Sequence, residues 1–587
     1  MNQISLNKDE AAVTVAASPS SIAAADESHG RLYWLWQNMV SRPKSLARKH
    51  RLLFPLSMLL ALFILFLARG YAYEYVITCR KYFGAVLVGV PSALIGYKLF
   101  RRSNLRGRAI ILAISALLAL LIFAYGRPVH NYCSLYWRYE TLNIVRLSDL
   151  PETAHERIQP LNSVFTMASG QIAGNDSPTE PHFVRIGAGG NYRFTMGAEP
   201  IYFWPRVFGG ITEIYDIPGT NPDVDLSGDA RVKVSFEVGD NLKWGRNAYV
   251  AVSRAFGLWR YLNYEPDGVI YMKDDAGKWV QVVPLIRWKG ILFPWPEFGG
   301  VQVIEQAPNT FLNSIKRTLV GCGYYVSPRE IEAGKYPFLK GQNIMPYRVS
   351  RYIAESFKFH KGKLAPLPGF HKDDIRIADM PEDVNDQPFV IHQKMSAVAE
   401  GADDSLYHYF SLEPFNINQQ GSVIVVYAPA DGKDIVYAAF NEECGLNLIG
   451  ISSVPQLVKN DHPFFDWSSH VPVENRPYVR VIDGKRHYFA LTTIVTKSER
   501  NDKFFIGGNN PNIALTDLKT RRVYWMRPPE SSTWVGQLRE QMKLPAGDPR
   551  LPALPGASGP PSAPASIAPS VTAAPATPSP APNAETK

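Results

Sequence analysis

Cysteine is scarce, four in 587 residues, so disulfides are not what holds a chain of this size together. No Cys-x-x-Cys pair and no Cys/His cluster has structural-zinc spacing, which argues against a closed zinc site. A Gly-x-Ser-x-Gly elbow, a His-Glu-x-x-His pair and a P-loop are all missing, and with them the chemistries those motifs announce. Catalytic pairs far apart in sequence are not excluded by such absences. In "VRIGAGGNYRF" the glycines 187, 189 and 190 are followed by no helix and lack the third glycine of a dinucleotide fingerprint, so they read as a bulge or tight bend in a strand.

Charge is missing from the middle of three long apolar runs, and this sets the organisation. Spans are predicted near residues 52–72, 82–100 and 109–126, built on "RLLFPLSMLLALFILFLARGYAYEYV", "YFGAVLVGVPSALIGYKLF" and "AIILAISALLALLIFAY". Each is close to the roughly 20 residues a helix needs to cross hydrocarbon. A cleaved leader would lie at the extreme N-terminus with a shorter apolar core. The first run starts beyond residue 50, so it is read as an uncleaved span. The runs carry no ionisable group between their ends, which argues against a pore or proton relay made by this chain alone.

Lysine and arginine in the short flanking loops give the orientation. Arg42, Lys44, Arg48, Lys49 and Arg51 precede the first span, and Lys98, Arg101, Arg102, Arg106 and Arg108 lie between the second and third. The alternate loops hold only Arg69, Arg80 and Lys81, then Arg127 and Arg138. The expectation is a multi-pass cell-membrane protein with a cytoplasmic N-terminus and everything after Gly126 outside, periplasmic if the cell has an outer membrane. Tyr71, Tyr73 and Tyr75, and Tyr132, Tyr136, Trp137 and Tyr139, are placed where amphipathic rings favour the headgroup layer. Cys79 and Cys133 fall on that same side, and an oxidising compartment would permit a bond there or between Cys322 and Cys444, the alternative being small buried thiols. "RLYWLWQNMV" (31–40) reads equally as an interfacial helix or a plain extension. The small residues Ala85, Gly89, Ser92, Ala93 and Gly96 would let helices approach closely, within this chain or against another membrane subunit.

The remainder is rich in β-branched and aromatic residues with frequent turn signals. Asp-Gly or Ala-Gly pairs at 276–277, 431–432 and 483–484 separate alternating apolar runs, a hairpin signature. Helices are predicted over 309–321, 347–359 and 532–544, the last followed by Pro545. The fold class is therefore α+β: a three-helix transmembrane bundle, a large β-rich extracytoplasmic domain of one or two subdomains, and a disordered Pro/Ala-rich tail. The expected divisions are 1–30 disordered, 31–126 membrane domain, 127–360 first β-rich subdomain, 361–389 linker or long connection, 390–544 second subdomain and 545–587 tail.

Three clusters are candidate sites. In "NPDVDLSGDARV", Asp223, Asp225 and Asp229 follow the start of a calcium loop, although Val234 stands where the bidentate acid belongs. A polar surface turn explains the same residues. "DHPFFDWSSHVPVE" spaces His462, Asp466, His470 and Glu474 four apart, but Pro463 and Pro472 oppose a helix and favour a polar loop before a hairpin. Trp244, Trp259, Trp279, Trp288 and Trp295 fall together with Arg254, Arg260, Arg287 and Lys289, an arrangement that reads as core or as aromatic faces for envelope glycan or lipid headgroups. The net charge of +9 is largely that of the topology-setting loops, and no nucleic-acid module is visible. The functional expectation is a non-enzymatic binding or assembly protein, an accessory subunit of an envelope complex whose partners are the bilayer and membrane or envelope proteins. The alternatives are an envelope hydrolase using paired carboxylates and an accessory subunit of a transporter. Calcium is the one cofactor the sequence suggests.

Overall fold

A run of Leu, Phe, Ala and Ile without an acid before Glu74 folds as one helix, α1 (Leu53–Lys81), ending in Arg80 and Lys81 where cations suit the helix terminus. The second, α2 (Phe83–Arg102), carries no charge before Lys98 and ends in Arg101 and Arg102. The third, α3 (Leu105–Glu140), starts where the Asn104 side chain accepts from the Gly107 amide at 2.9 Å and continues through Pro128. In this computed structural model residues 53–544 are described apart from 103, 173, 188–190, 220–225, 227–229, 368–373, 379–386, 416–420, 501–502, 508–510 and 528–530. The predicted N-terminal segment, tail and 31–40 helix lie outside that set, as do Asp223, Asp225 and Asp229. Two compact units, 1–69 and 70–587, divide the chain. Two helices near the N-terminus, Leu56–Lys81 and Phe83–Arg102, are long and apolar enough to cross a membrane.

The last turns of α1 pack partly into the β-rich region. Tyr73 and Ile77 are buried in a core cluster with Val252, Phe256 and Tyr264, and Tyr73 meets Tyr261 edge-on at 5.2 Å. Tyr73 thus packs against protein, whereas Tyr71 and Tyr75 stay exposed. The polar ends are equally engaged. Arg80 Nε donates to Asn263 Oδ1 at 2.8 Å, and Lys81 and Arg348 share Glu265 at 2.8 and 2.9 Å. On α3, Arg138 is buried against Glu297 at 3.3 Å, Tyr132 donates to the Lys363 carbonyl, and Tyr139 packs edge-on against Phe357.

Among the described residues four sheets make the β-rich region. The central seven-stranded sheet runs Ile144–Arg146, Val436–Phe440, Ile424–Pro429, Ser405–Pro414, Phe389–Lys394, Glu152–Thr153, with Ile375–Ile377 also paired to Ser405–Pro414. Its first pair is parallel and the rest antiparallel. Because side chains alternate along a strand, Tyr407 and Tyr409 enter a core with Val479, Tyr488 and Trp525 on one face. Phe410 and Leu412 enter another with Val282, Val301 and Ile353 on the opposite face. Both faces are covered, which is why Ser405–Leu412 is an unbroken buried run. The segment 361–389 contributes Ile375–Ile377 to this sheet.

A five-stranded sheet centred on Trp279–Lys289 and Trp295–Glu305 covers one face, and another built on His470–Ile482 and Lys485–Arg500 covers the other. The fourth runs Asp176–Pro178, Asn191–Pro200, Ile211–Pro218, Arg231–Phe236, with His182–Ile186 beside Asn191–Pro200.

All three predicted hairpins form. At the tightest, Asp483 (φ 50°) and Gly484 (φ 76°) are both left-handed between Ile482 and Lys485, the conformation whose twist matches paired strands. Helices occur at Phe311–Val320, Tyr347–Ser356 and Ser531–Met542. The four cysteines are free thiols rather than two disulfides, Cys444 donating to the Leu147 carbonyl at 3.2 Å.

One contact makes a local prediction. Gly84, in the first turn of α2, lies so close to the Leu292 carbonyl that a Cβ would collide with backbone. Gly84→Val is expected to destabilise the detergent-solubilised protein by about 1–3 kcal/mol of overpacking, read as a lowered melting temperature. An unchanged transition would show that the loop yields freely.

Candidate functional site

The residues spaced four apart in "DHPFFDWSSHVPVE" do not share a face. His462 follows the helix Val454–Asp461, Asp466 accepts from the Ser468 amide in a turn, and His470 begins a strand. Two serine hydroxyls hold the exposed Asp466 carboxyl down at about 2. Glu474 alone turns inward. It sits at φ 46° in a bulge of His470–Ile482, is buried, and pairs with Arg157 and Arg476. The segment is a polar connection before a hairpin, with one buried structural acid. Gly187 (φ 75°) makes the turn out of His182–Ile186. Of the five tryptophans, Trp279 and Trp295 are core, Trp288 is half-buried and donates to Glu265, and Trp244 and Trp259 are exposed.

A cluster of raised carboxyls lies elsewhere, at Glu199, Asp240 and Asp267. Glu199 ends the long strand Asn191–Pro200, Asp240 follows Arg231–Phe236 after a short turn, and Asp267 follows Tyr264–Pro266. The backbone assembles them. Glu199 accepts from the amides of Asp240 at 2.8 Å and Asn241 at 2.7 Å. Gly239 lets the turn approach closely, since a Cβ there would press on the Glu199 carboxylate and displace it. Asn247 Nδ2 ties the turn by donating to the Asp240 carbonyl at 2.8 Å, and the Asp267 amide donates to Pro284.

Burial, reinforced by the charge of Glu199, pushes the Asp240 carboxyl up to about 7. Asp267 is raised to about 6, again chiefly by burial, with Arg348 opposing and Glu265 adding. Glu199 is raised by burial against the pull of its two amide donors. Asp240 Oδ1 is buried without a hydrogen-bond partner. Beside the cluster a cavity of about 430 Å³ is lined by Leu161, Phe165, Thr179, Glu180, Arg206 and Asn241. Such carboxyls can hold or release a proton near neutrality, the property a general acid needs. They do not group as metal ligands, nor does any other set among the described residues.

The sign of the pH dependence follows. Asp240 keeps its proton in the folded chain over a range, about pH 4 to 7, where the unfolded chain has lost it, so this group's contribution to stability falls as pH rises through that window. Asp240→Asn is expected to flatten that part of the profile and to stabilise the protein at pH 8 by about 1–3 kcal/mol. Unfolding of the solubilised chain at pH 5 and pH 8 measures it, and an unaltered profile would show that Asp240 is well solvated.

Sequence reading missed this cluster because its members are scattered over three sheet segments and carry no spacing signature. The only signal was an acid beside a glycine after an apolar strand, in "FEVGDN" and "NYEPDG". No family model matches the chain, and no curated protein or solved structure matches it either.

Proposed function

We propose that the chain is a membrane-anchored binding or assembly protein, an accessory subunit of an envelope complex, with three spans, a cytoplasmic N-terminus and its β-rich domain outside the cytoplasm. The observation that carries this reading is the seating of the helix ends in the domain: Tyr73 and Ile77 are core residues, and Arg80, Lys81 and Arg138 bond to Asn263, Glu265 and Glu297. A domain that packs against the ends of its own apolar helices suits assembly with neighbouring membrane or envelope proteins. The loop charges around the spans support the orientation.

Cross-linking in native membranes, gentle solubilisation and mass spectrometry test the reading. Membrane or envelope proteins recovered in stoichiometric amount are expected; a clean monomer would overturn the assembly role. Labelling of a single cysteine introduced near Asp517 from the cytoplasmic side only would overturn the orientation.

A second reading, an envelope hydrolase using paired carboxylates, is favoured by Asp240 and Asp267, whose carboxyls are raised to about 7 and 6, with Asn241, the neighbour of Asp240, and Glu180 lining a cavity. Turnover of envelope glycans or peptides that is abolished by Asp240→Asn would establish it. Absence of turnover in wild type would dismiss it.

A further inference from the structure

The helix Phe311–Val320 is built inside out. Arg317, 5 % exposed, points into the domain and donates to Glu237 and to Ser314 Oγ, while Phe311 and Leu312 stand 80 % and 76 % exposed. A surface helix in water turns its apolar stripe inward. The same inversion recurs nearby. In the helix Phe203–Phe208, Phe203, Trp204 and Phe208 are exposed, and in Leu258–Asn263, Leu258 is 79 % and Trp259 69 % exposed while Asn263 is buried against Arg80. Ile291 and Leu292 are exposed as well.

These elements form one surface. Phe203 meets Trp244 edge-on at 6.2 Å, and Asn309, just ahead of Phe311, donates to the Phe208 carbonyl at 2.9 Å. Gly321 (φ 84°), which ends the inverted helix, lies against Ala251 and Ala255 so closely that no Cβ would fit. The helix Ala248–Ala255 leads directly into Leu258–Asn263. The surface is continuous with the apolar helices: Gly70 of α1 abuts Val250 and Arg254, and Gly84 of α2 abuts Leu292. Soluble proteins leave apolar side chains scattered, whereas a contiguous stretch such as Ile201-Tyr202-Phe203-Trp204 marks an interaction surface. Its composition selects the occupant. Exposed Trp204, Trp244 and Trp259 stand among exposed Lys243, Lys289 and Lys316, and aromatic rings mixed with lysine on an apolar face suit the headgroup layer, anionic lipid above all.

We propose that this surface is seated in the bilayer, its side chains reaching about 5–10 Å into the boundary between headgroups and acyl chains. The proposal rests on the membrane-anchored reading and adds that the domain itself binds lipid, lying down on the membrane around the base of its helices.

The test uses the full chain in phosphatidylcholine–phosphatidylglycerol vesicles containing a phospholipid with a photoactivatable acyl chain, with adducts mapped by mass spectrometry. Adducts are expected on the peptides carrying Ile201–Phe208, Leu258–Leu262, Ile291–Leu292 and Phe311–Ile315 as well as on α1 and α2, and not on the hairpin around Asp483. Adducts confined to α1 and α2 would overturn the lipid-bound surface while leaving the anchor intact; no adducts on α1 and α2 would overturn the anchor itself. The double substitution Phe311→Glu with Leu312→Glu alters only exposed side chains, and should cut labelling of its own peptide roughly tenfold while the other three keep theirs. Undiminished labelling there would overturn the proposal, as would protein cross-links to these peptides in native membranes without lipid adducts.

Discussion

Replacing Glu474 with alanine is expected to destabilise the protein by about 3–5 kcal/mol, the effect of removing one member of a buried ion cluster. Glu474 accepts from Arg157 and from the Leu161 amide at 2.8 Å, and Arg476 Nε lies 3.5 Å away. All three charged side chains are buried. Arg476 is further committed, donating to Ile158 and Thr493 at 3.1 and 2.7 Å, and burial pulls it down to about 9. Without Glu474 two guanidiniums would face each other with no counter-charge. Glu474→Gln retains an acceptor for the Leu161 amide and should lose less. Denaturant unfolding in detergent distinguishes the two, and an alanine variant within about 1 kcal/mol of wild type would mean that water enters the site freely.

Tyr73→Ala is the second large effect, expected at about 3–5 kcal/mol from the cavity left by a buried aromatic. Tyr73 fills the space between Phe256 and Tyr261, and removing it unseats α1 from the domain. The conservative variant separates packing from polarity. The Tyr73 hydroxyl is buried without a hydrogen-bond partner, so Tyr73→Phe should be neutral or slightly stabilising. Limited proteolysis provides a readout specific to the seating, since the alanine variant should be cut faster within α1. Equal cleavage of all three proteins would show that the ring contributes nothing to attachment.

Much of the β architecture was legible because its signals are local. Gly277, Gly432 and Gly484 each sit at positive φ in a turn between paired strands, a requirement of the backbone that a dipeptide announces. The apolar runs were legible for the same reason, since length and absence of charge are read residue by residue. What escaped is non-local. Nothing in "GYAYEYVITCRK" distinguishes Tyr73, a core residue, from Tyr75, an exposed one; only the elements packed against α1 decide. The split among the tryptophans and the assembly of Glu199, Asp240 and Asp267 likewise arise from strands far apart in sequence. The candidate site was therefore almost invisible at that level, whereas the sheet-rich character was not.

The parallel pairing of Ile144–Arg146 with Val436–Phe440 has a consequence for biogenesis. Arg146 and Glu443, bonded across that edge at 2.5 Å, are 297 positions apart in the chain. As the polypeptide emerges N-terminus first, the early strand must wait, its edge unpaired, until the late one is delivered, and pairing at such separation is intrinsically slow and prone to aggregation. A nascent chain stalled before residue 436 would therefore present an open edge, and premature termination anywhere upstream should yield material that is degraded or aggregated rather than a shorter working protein.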